Sequence, residues 1–374
     1  MKAVVVAADM ITPYGQGVNA CWEGLVSGAT AISPVTRFIT NSFTSSVAGT
    51  IGGLKYHEGE SLVMQMLGLL FRRSGVPIPR DAKLILATTK GEIDFLEMSV
   101  LGKAAEVSQC SLDTLLAKVE ALSGARGGGQ IVSAACTSSA AAAARAAAMI
   151  RTGQSDCVLV VACDSVTEFI YAGFSALMAL DKIPARPFDR SREGLNVGEA
   201  AAYALFMSPE RAAQENRTAI GELAGWGLSD DANHMTGPSR ESEGLILAIS
   251  KALASAERGR EDIGIISAHG TGTLYNDAME MRAFHRVFSG TVKPVYSLKG
   301  GIGHTMGAAG LLEMIIALRA LREKTAPPTV NLREADDDAA GWVSQRARRT
   351  AGGTCAIVTN AGFSGVNTAL VVSL

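Results

Sequence analysis

Gln130-Ile131-Val132-Ser133-Ala134-Ala135-Cys136-Thr137-Ser138-Ser139, running on into Ala140–Ala144, is the stretch that decides the fold. Gln130–Ala135 reads as extended chain and Ser139–Gly153 as a long alanine-rich helix, with a cysteine at the junction. That geometry exposes the sulfur on a sharp turn and aims the positive end of a helix at it, which lowers a thiol's pKa. Taken alone, such a cysteine is more often a small structural core residue. A second stretch repeats the pattern: Gly301-Ile302-Gly303-His304-Thr305-Met306 leads into the apolar helix Gly307–Leu321. A helix that is apolar on most faces belongs in the core. Two such helices, each with a reactive side chain at its start, predict two similar halves meeting at one site. We divide them as residues 1–210 and 211–374, after the strand ending at Met207 and the turn-like Ser208-Pro209.

Outward from these stretches, short β-branched runs alternate with helical patterns. The strand candidates are Lys2–Ala7, Lys83–Ala87, Cys157–Val161, Ala201–Met207, Gly264–Ser267, Val295–Ser297, Cys355–Asn360 and Thr368–Ser373. The helix candidates are Gly17–Gly28, Ser139–Gly153, Ser242–Ala256, Asp277–Phe288 and Gly307–Leu321. Strands separated by helix-length segments predict an α/β fold with a mostly parallel or mixed sheet.

A chain of 374 residues, 48% hydrophobic, is long enough for one large core or two fused ones. Its net charge of −2 argues against nucleic acid as the main partner, since binding phosphates needs a basic excess. Met1–Val6 is too short for a signal peptide, and every later apolar stretch is broken by charge or glycine. No membrane insertion is expected, and the chain reads as cytoplasmic. Six cysteines (21, 110, 136, 157, 163 and 355) show neither CxxC pairing nor zinc-like spacing, so no metal site is expected.

His269, in Ala268-His269-Gly270-Thr271-Gly272-Thr273, follows a strand, and α/β proteins build sites at the carboxyl ends of strands. Thr271 and Thr273 can hydrogen-bond a substrate there. His304 at a helix start is expected to be neutral, because the positive helix end disfavours imidazolium. Glu313 is the only charged residue in Gly307–Leu318, and a buried carboxylate needs a partner, for which Lys299 is placed. In Gly362-Phe363-Ser364-Gly365 a glycine-flanked aromatic can swing, and its backbone N–H can contribute to an oxyanion hole.

Together these residues resemble the elongating β-ketoacyl synthases of the thiolase superfamily. The matches are Ala135-Cys136-Thr137-Ser138, Arg186-Pro187-Phe188-Asp189 with Gly198-Glu199, and Asp231 with His234-Met235-Thr236. They continue through His269–Thr273 and Asp277, Ser297-Leu298-Lys299 to His304, Gly307–Gly310 with Glu313, and Gly362–Gly365 with Asn367, in family order. The resemblance implies a thiolase-like fold, two mixed-sheet halves layered αβαβα around buried central helices. It implies that Cys136 takes an acyl chain from an acyl carrier protein, with the N–H groups of Cys136 and Phe363 as oxyanion hole. His269 and His304 would then assist decarboxylation of malonyl-carrier protein, and Lys299 and Glu313 would organise the site. Thr271 and Thr273 would touch the phosphopantetheine arm, and Phe363 would gate the cavity with Gly362 and Ser364 bordering the substrate. No cofactor is implied beyond that arm. The implied partners are the carrier protein and a dimer mate, either a second copy or a chain-length-factor-like subunit.

Three departures point toward a specialised pathway such as polyketide or aryl-polyene assembly. Ser364 replaces the glycine usual after the gating Phe, Ala361 replaces a residue often aromatic, and the segment before Cys136 is short. Two other classes compete: a coenzyme A-dependent starter enzyme or thiolase, and a non-catalytic chain-length-factor-like subunit. His304 in place of the starter enzymes' Asn, and Phe363 where thiolases carry a second cysteine, disfavour the first. Retention of Cys136 disfavours the second. Arg72-Arg73 and the group Arg346, Arg348 and Arg349 are candidates for docking an acidic carrier.

Overall fold

Lys83–Ala87 and Cys157–Asp164 are built almost wholly of Val, Leu, Ile, Ala and Cys and are buried along nearly their full length, as central parallel strands must be. They anchor the main sheet of a computed structural model that describes residues 2–103, 107–289, 291–350 and 352–374. Ten strands carry the argument: β1 (Val4–Thr12), β2 (Lys83–Ala87), β3 (Gly129–Val132), β4 (Cys157–Asp164), β5 (Ala200–Met207), β6 (Gly221–Asp230), β7 (Ile263–Ser267), β8 (Val295–Tyr296), β9 (Cys355–Ala361) and β10 (Val366–Ser373). The helices needed are α1 (Leu62–Ser74), α2 (Leu112–Ser123), α3 (Ser138–Arg151), α4 (Glu168–Ala176), α5 (Glu243–Ala256), α6 (Leu274–Val287) and α7 (Ala309–Glu323).

The first five strands lie in the order β3-β2-β4-β5-β1 and the next five in the order β8-β7-β9-β10-β6. The second order is the first with five added to every number. Directions repeat as well. β2 is parallel to β3 and β4, β4 is antiparallel to β5, and β5 to β1. Likewise β7 is parallel to β8 and β9, β9 is antiparallel to β10, and β10 to β6. The two runs join through a two-residue contact, Val4 with Glu222 and Val5 with Gly221.

Alternate strand residues face different layers, as the two-residue period requires. Val158, Val160 and Ala162 of β4, with Ala356 and Val358 of β9, enclose α3 and α7 in one cluster. Leu159 and Val161 face outward to α1 and α2, and Ile357 and Val371 face outward to α5 and α6. The result is five layers, helix–sheet–helix–sheet–helix, with α3 and α7 in the middle. Gly310 lies against Ala140, where an added Cβ would come within 2.6 Å of the alanine methyl. Ser139 Oγ accepts the Leu311 N–H at 3.0 Å, so the two central helices are tied at their starts.

Every strand and helix inferred from the sequence is present, Lys83–Ala87 with the expected bounds and the others with shifted ends. Unforeseen are strand β6, helices α1, α2 and α4, and the shorter helices Ile93–Val100 and Pro209–Gln214. Cys21, Cys157, Cys163 and Cys355 are core residues, whereas Cys110 is only half-buried.

Candidate active site

Cys136 sits between β3 and α3 on the expected sharp turn. Ala135 takes φ 47°, the left-handed region that costs an L-residue about 1–2 kcal/mol. Ser138 Oγ donates to the Ala135 carbonyl at 2.6 Å and accepts from Ala134 N at 2.9 Å, and Thr137 Oγ1 donates to the Ala134 carbonyl at 2.6 Å. These bonds hold the turn. The exposure expected for the sulfur is not found: Cys136 is only 7% exposed. Burial raises its thiol pKa, outweighing the lowering by Lys90, Lys299 and the Phe363 N–H that hydrogen-bonds the sulfur. The helix-end effect anticipated from sequence therefore does not leave a low-pKa thiol, because desolvation of the thiolate is the larger effect.

His269 follows β7 and is held by its backbone. Glu280 of α6 accepts the N–H groups of His269 at 2.7 Å and Gly270 at 2.6 Å. Asp277, one turn earlier, accepts those of Thr271, Gly272 and Phe188. Both carboxylates are fully buried, and burial raises both pKa values, that of Glu280 to about 7. Thr271 and Thr273 share a hydroxyl–hydroxyl bond of 2.9 Å at the cavity wall.

His304 lies in the quasi-equivalent place of the second run, before α7. It precedes that helix by a further 3-10 turn, so the helix end is not at the ring as the sequence suggested. Its backbone pairs instead with Asn196 and Gly198, at 2.7 and 2.8 Å. Gly198 must lack a Cβ, which would sit 2.3 Å from the Ile302 carbonyl oxygen. The Met306 N–H donates to His304 Nδ1 at 3.3 Å, which fixes the proton of a neutral ring on Nε2. The His269 and His304 rings stand edge to face, 5.1 Å between centroids. Burial, reinforced by the charge of Lys299, holds both imidazoles well below their ordinary pKa. His304 is neutral as expected, but burial causes it.

Lys299 and Glu313 form the expected pair, Nζ to Oε1 at 2.5 Å, with side chains 2% and 1% exposed. Lys299 Nζ also donates to the His269 carbonyl at 2.5 Å. Asn360, at the end of β9, was not foreseen. Its amide donates to Glu313 Oε2 at 2.5 Å and lies 3.5 Å from His269 Nδ1. A carboxylate only accepts, so the amide nitrogen faces it, and His269, like His304, carries its proton on Nε2.

In the loop after β9, the Gly362 N–H is taken by Val366 O and the Ser364 N–H by Met235 O, leaving the Phe363 N–H for the thiol. The Phe363 ring rests on Phe174 of α4, 5.9 Å between centroids. Ser364 adopts φ 70°, the conformation that a glycine there would take at no steric cost. A cavity of about 480 Å³ brings together Cys136, His269, His304, Thr271, Thr273, Gly362 and Phe363, with Ala361 in its wall. Lys299 and Glu313 stand behind it, and Ser364 lies outside its lining. A second cavity of about 490 Å³ shares His234, Gly237, Pro238 and Tyr275 with the first and adds Arg240 and Arg282. Neither arginine group suggested for docking lines either cavity.

Residues 88–212 match the family described as beta-ketoacyl synthase, N-terminal domain, and residues 220–333 match beta-ketoacyl synthase, C-terminal domain. Together the matches cover more than half of the chain and include three strands of each run of the sheet. The chain belongs to the β-ketoacyl synthase family. The 3-oxoacyl-[acyl-carrier-protein] synthase 2 of Coxiella burnetii is 28% identical, over 100% of this chain and 98% of the relative. The tetracenomycin polyketide synthase ketoacyl synthase alpha subunit of Streptomyces glaucescens is 29% identical, over 100% and 97%. The solved ishigamide ketosynthase/chain length factor superposes with a TM-score of 0.90 at 28% identity, over 100% of this chain and 98% of that one. The thiolase-like ketosynthase fold expected from the resemblance is thus the fold of this chain.

Within that family frame, four residues outside the sequence reading shape the site: Asn360, Glu280, Asp164 and Lys90. Glu280 had a signal, a lone carboxylate between Met279 and Met281 three positions after Asp277 on one helix face. Asn360 and Lys90 act only through tertiary contacts and had none.

Proposed function

We propose that this chain is a catalytic β-ketoacyl-[acyl carrier protein] synthase that extends an acyl chain by two carbons in fatty-acid-like, polyketide or aryl-polyene synthesis. One observation carries the reading: Cys136 shares one cavity with two neutral histidines whose free N–H groups are on Nε2, and the Phe363 N–H meets the sulfur. In the first half-reaction Cys136 Sγ attacks an acyl-carrier thioester. The new S–C bond forms, the bond to the arm breaks, and the arm's sulfur takes the proton that Cys136 loses. The N–H groups of Cys136 and Phe363 hold the oxyanion.

In the second, a malonyl thioester lies with its carbonyl oxygen toward the two Nε2–H donors. Its C–C bond to the carboxylate breaks, carbon dioxide leaves, and the electron pair becomes an enolate held by those donors. The α-carbon attacks the acyl-cysteine carbonyl, and the Cys136 thiolate departs, leaving a β-ketoacyl thioester. Neutral rings suit this role, since donors aimed at a developing oxyanion stabilise it most in a dry site. Lys299 and Glu313 hold the His269 backbone and, with Asn360, its ring. Thr271 and Thr273 meet the phosphopantetheine arm, and the arginines at the outer cavity face its phosphate and the acidic carrier. The chain works as a dimer, with itself or with a chain-length-factor-like subunit.

Incubation with an acyl-carrier thioester should add the acyl mass to Cys136, seen by intact-protein mass spectrometry. Cys136→Ala should lose that adduct and reduce condensation to about 10⁻³ of the parent rate or less. Condensation surviving in Cys136→Ala would show that the catalytic assignment of this cysteine is wrong. Transfer from acyl-coenzyme A but not from carrier protein would make it a starter-type enzyme.

A further inference from the structure

The His304 ring takes its tautomer from the Met306 N–H, which meets Nδ1 at 3.3 Å, so whatever holds Met306 decides which nitrogen carries the proton. Met306 takes a left-handed φ of 51°, a conformation that an L-residue keeps only where its surroundings impose it. The three N–H groups of this turn go to three different acceptors. That of Met306 meets the ring, that of Ala308 donates to the Thr305 carbonyl at 3.1 Å, and that of Gly307 donates to Asp164 Oδ2 at 2.7 Å. Asp164 comes from the other half of the molecule, at the end of β4.

Asp164 is itself fixed. It is buried and accepts from Thr88 Oγ1 at 2.9 Å, Thr89 Oγ1 at 2.8 Å and Thr89 N at 3.1 Å, all on the turn after β2. Lys90 of that turn donates to Thr89 Oγ1 at 2.8 Å and lies 3.8 Å from Met306 Sδ, so the same turn also meets the Met306 side chain. The fit is close. A Cβ at Gly307 would stand 2.7 Å from Asp164 Oδ2 and 3.0 Å from Thr89 Cγ2. An acceptor is well placed there, because the start of a helix leaves N–H groups without partners. Take the carboxylate away and the buried Gly307 N–H loses its acceptor. Turning that N–H toward another acceptor would carry the Met306 N–H off the ring.

We infer that Asp164 is a positioning residue for His304: by binding the Gly307 N–H it locks the turn that keeps the His304 proton on Nε2. The inference deepens the proposed role of His304 as an enolate donor and rests on it. Asp164 acts through the turn, not on the reacting atoms. It ties a histidine of the second half to the sheet of the half that carries Cys136.

The test compares the two half-reactions, and the ring itself, in the full-length protein. Asp164→Ala should slow malonyl-carrier decarboxylation between roughly 10- and 100-fold in kcat, with KM nearly unchanged. Acylation of Cys136, which does not use His304, should stay within about threefold of the parent rate. Long-range proton–nitrogen NMR of protein labelled with nitrogen-15 histidine reads the tautomer, and His304→Gln identifies the His304 signal by its loss. The parent should show a proton on Nε2 alone, and Asp164→Ala a mixture of both tautomers. Should Asp164→Ala fail to fold, Gly307→Ala pushes the turn off Asp164 with the carboxylate still present and should give the same rate split and the same mixture. Parent-like decarboxylation with an unmixed ring signal in a folded variant overturns this inference alone, as does an equal loss in both half-reactions. A parent ring protonated on Nδ1 overturns both the inference and the donor role of His304. A parent with the Nε2 signal, lost in the variant, but with no decarboxylation overturns the synthase reading and leaves the hold on His304 supported.

Discussion

Neutral imidazoles beside a fixed ammonium set the acid limit for chemistry in this cavity. His269 and His304 serve as donors only while uncharged, and burial together with Lys299 pushes both pKa values down. Protonation on lowering the pH is thereby postponed, so malonyl decarboxylation should stay flat through neutrality to about pH 6 or lower. Lys299→Met removes the cation and leaves Glu313 behind His269 with Asn360 as its remaining hydrogen-bond partner among the described residues. The imidazolium is then favoured, and the acid limb should move toward neutrality. A decarboxylation profile unchanged in Lys299→Met would refute the electrostatic role of that lysine. At this scale much was legible in the sequence: Cys136, His269, His304, Lys299 and Glu313 do converge. What was not legible was the sign of the Cys136 shift. A helix end is visible in a sequence, but the depth of burial that overrides it is a property of five packed layers. Asn360 was hidden for the same reason, since its partners are 47 and 91 positions away.

The two central helices show how one element can be read and its neighbour missed. The small residues of α3 announced close packing, and they deliver it at the contact of Ala140 with Gly310 of α7. Gly310→Ala should improve local helix propensity by about 1 kcal/mol. Yet its methyl would lie 2.6 Å from Ala140 Cβ and 2.8 Å from Asn360 Oδ1. Overpacking of this kind costs about 1–3 kcal/mol. A net fall in Tm is expected, with Ala140→Gly recovering part of it in the double variant. A Tm equal to or above the parent's in Gly310→Ala would show that the helices are free to separate. Strand β6 escaped notice for a related reason. Gly221, Gly225 and Gly227 interrupt its pattern, and glycine is depleted in strands. The structure needs Gly225 and Gly227 because α5 lies against them, where a Cβ at Gly227 would meet the Ala248 carbonyl oxygen at 2.0 Å, and it needs Gly221 because a Cβ there would meet Leu318 of α7 at 2.3 Å. Helices α1, α2 and α4, by contrast, carried legible starts in Ser61, Ser111 and Thr167, each capping its helix with its side-chain oxygen.

At the scale of the molecule, the repeated strand order makes one asymmetry informative. Strands β3 and β8 hold the same place at the outer edges of their runs. Strand β8 is covered: Val295 and Tyr296 are 2% and 0% exposed, and Trp342 accepts the Val295 N–H. Among the described residues strand β3 pairs with β2 alone, and none of its own residues is fully buried. An open edge strand is a template for another chain, and proteins that stay monomeric usually blunt it with charge, proline or a covering element. Gly129-Gln130-Ile131-Val132 has no charge or proline. Nearby in the same half, α4 exposes Phe169 by 58% and is followed by Met178 at 87%, a cost that a monomer has no reason to bear. The dimer mate, whether a second copy or a ketosynthase-like partner, is therefore expected on the β3 edge, which also places it beside the turn that carries Cys136. Ile131→Lys puts an ammonium on that edge without touching the core, while Phe169→Glu charges the apolar surface. Light scattering should report the mass of one chain for the double variant and that of an assembly for the parent, purified with any partner it retains. If the double variant keeps the parent's mass, the mate sits elsewhere, and the open edge of the first run needs a different explanation.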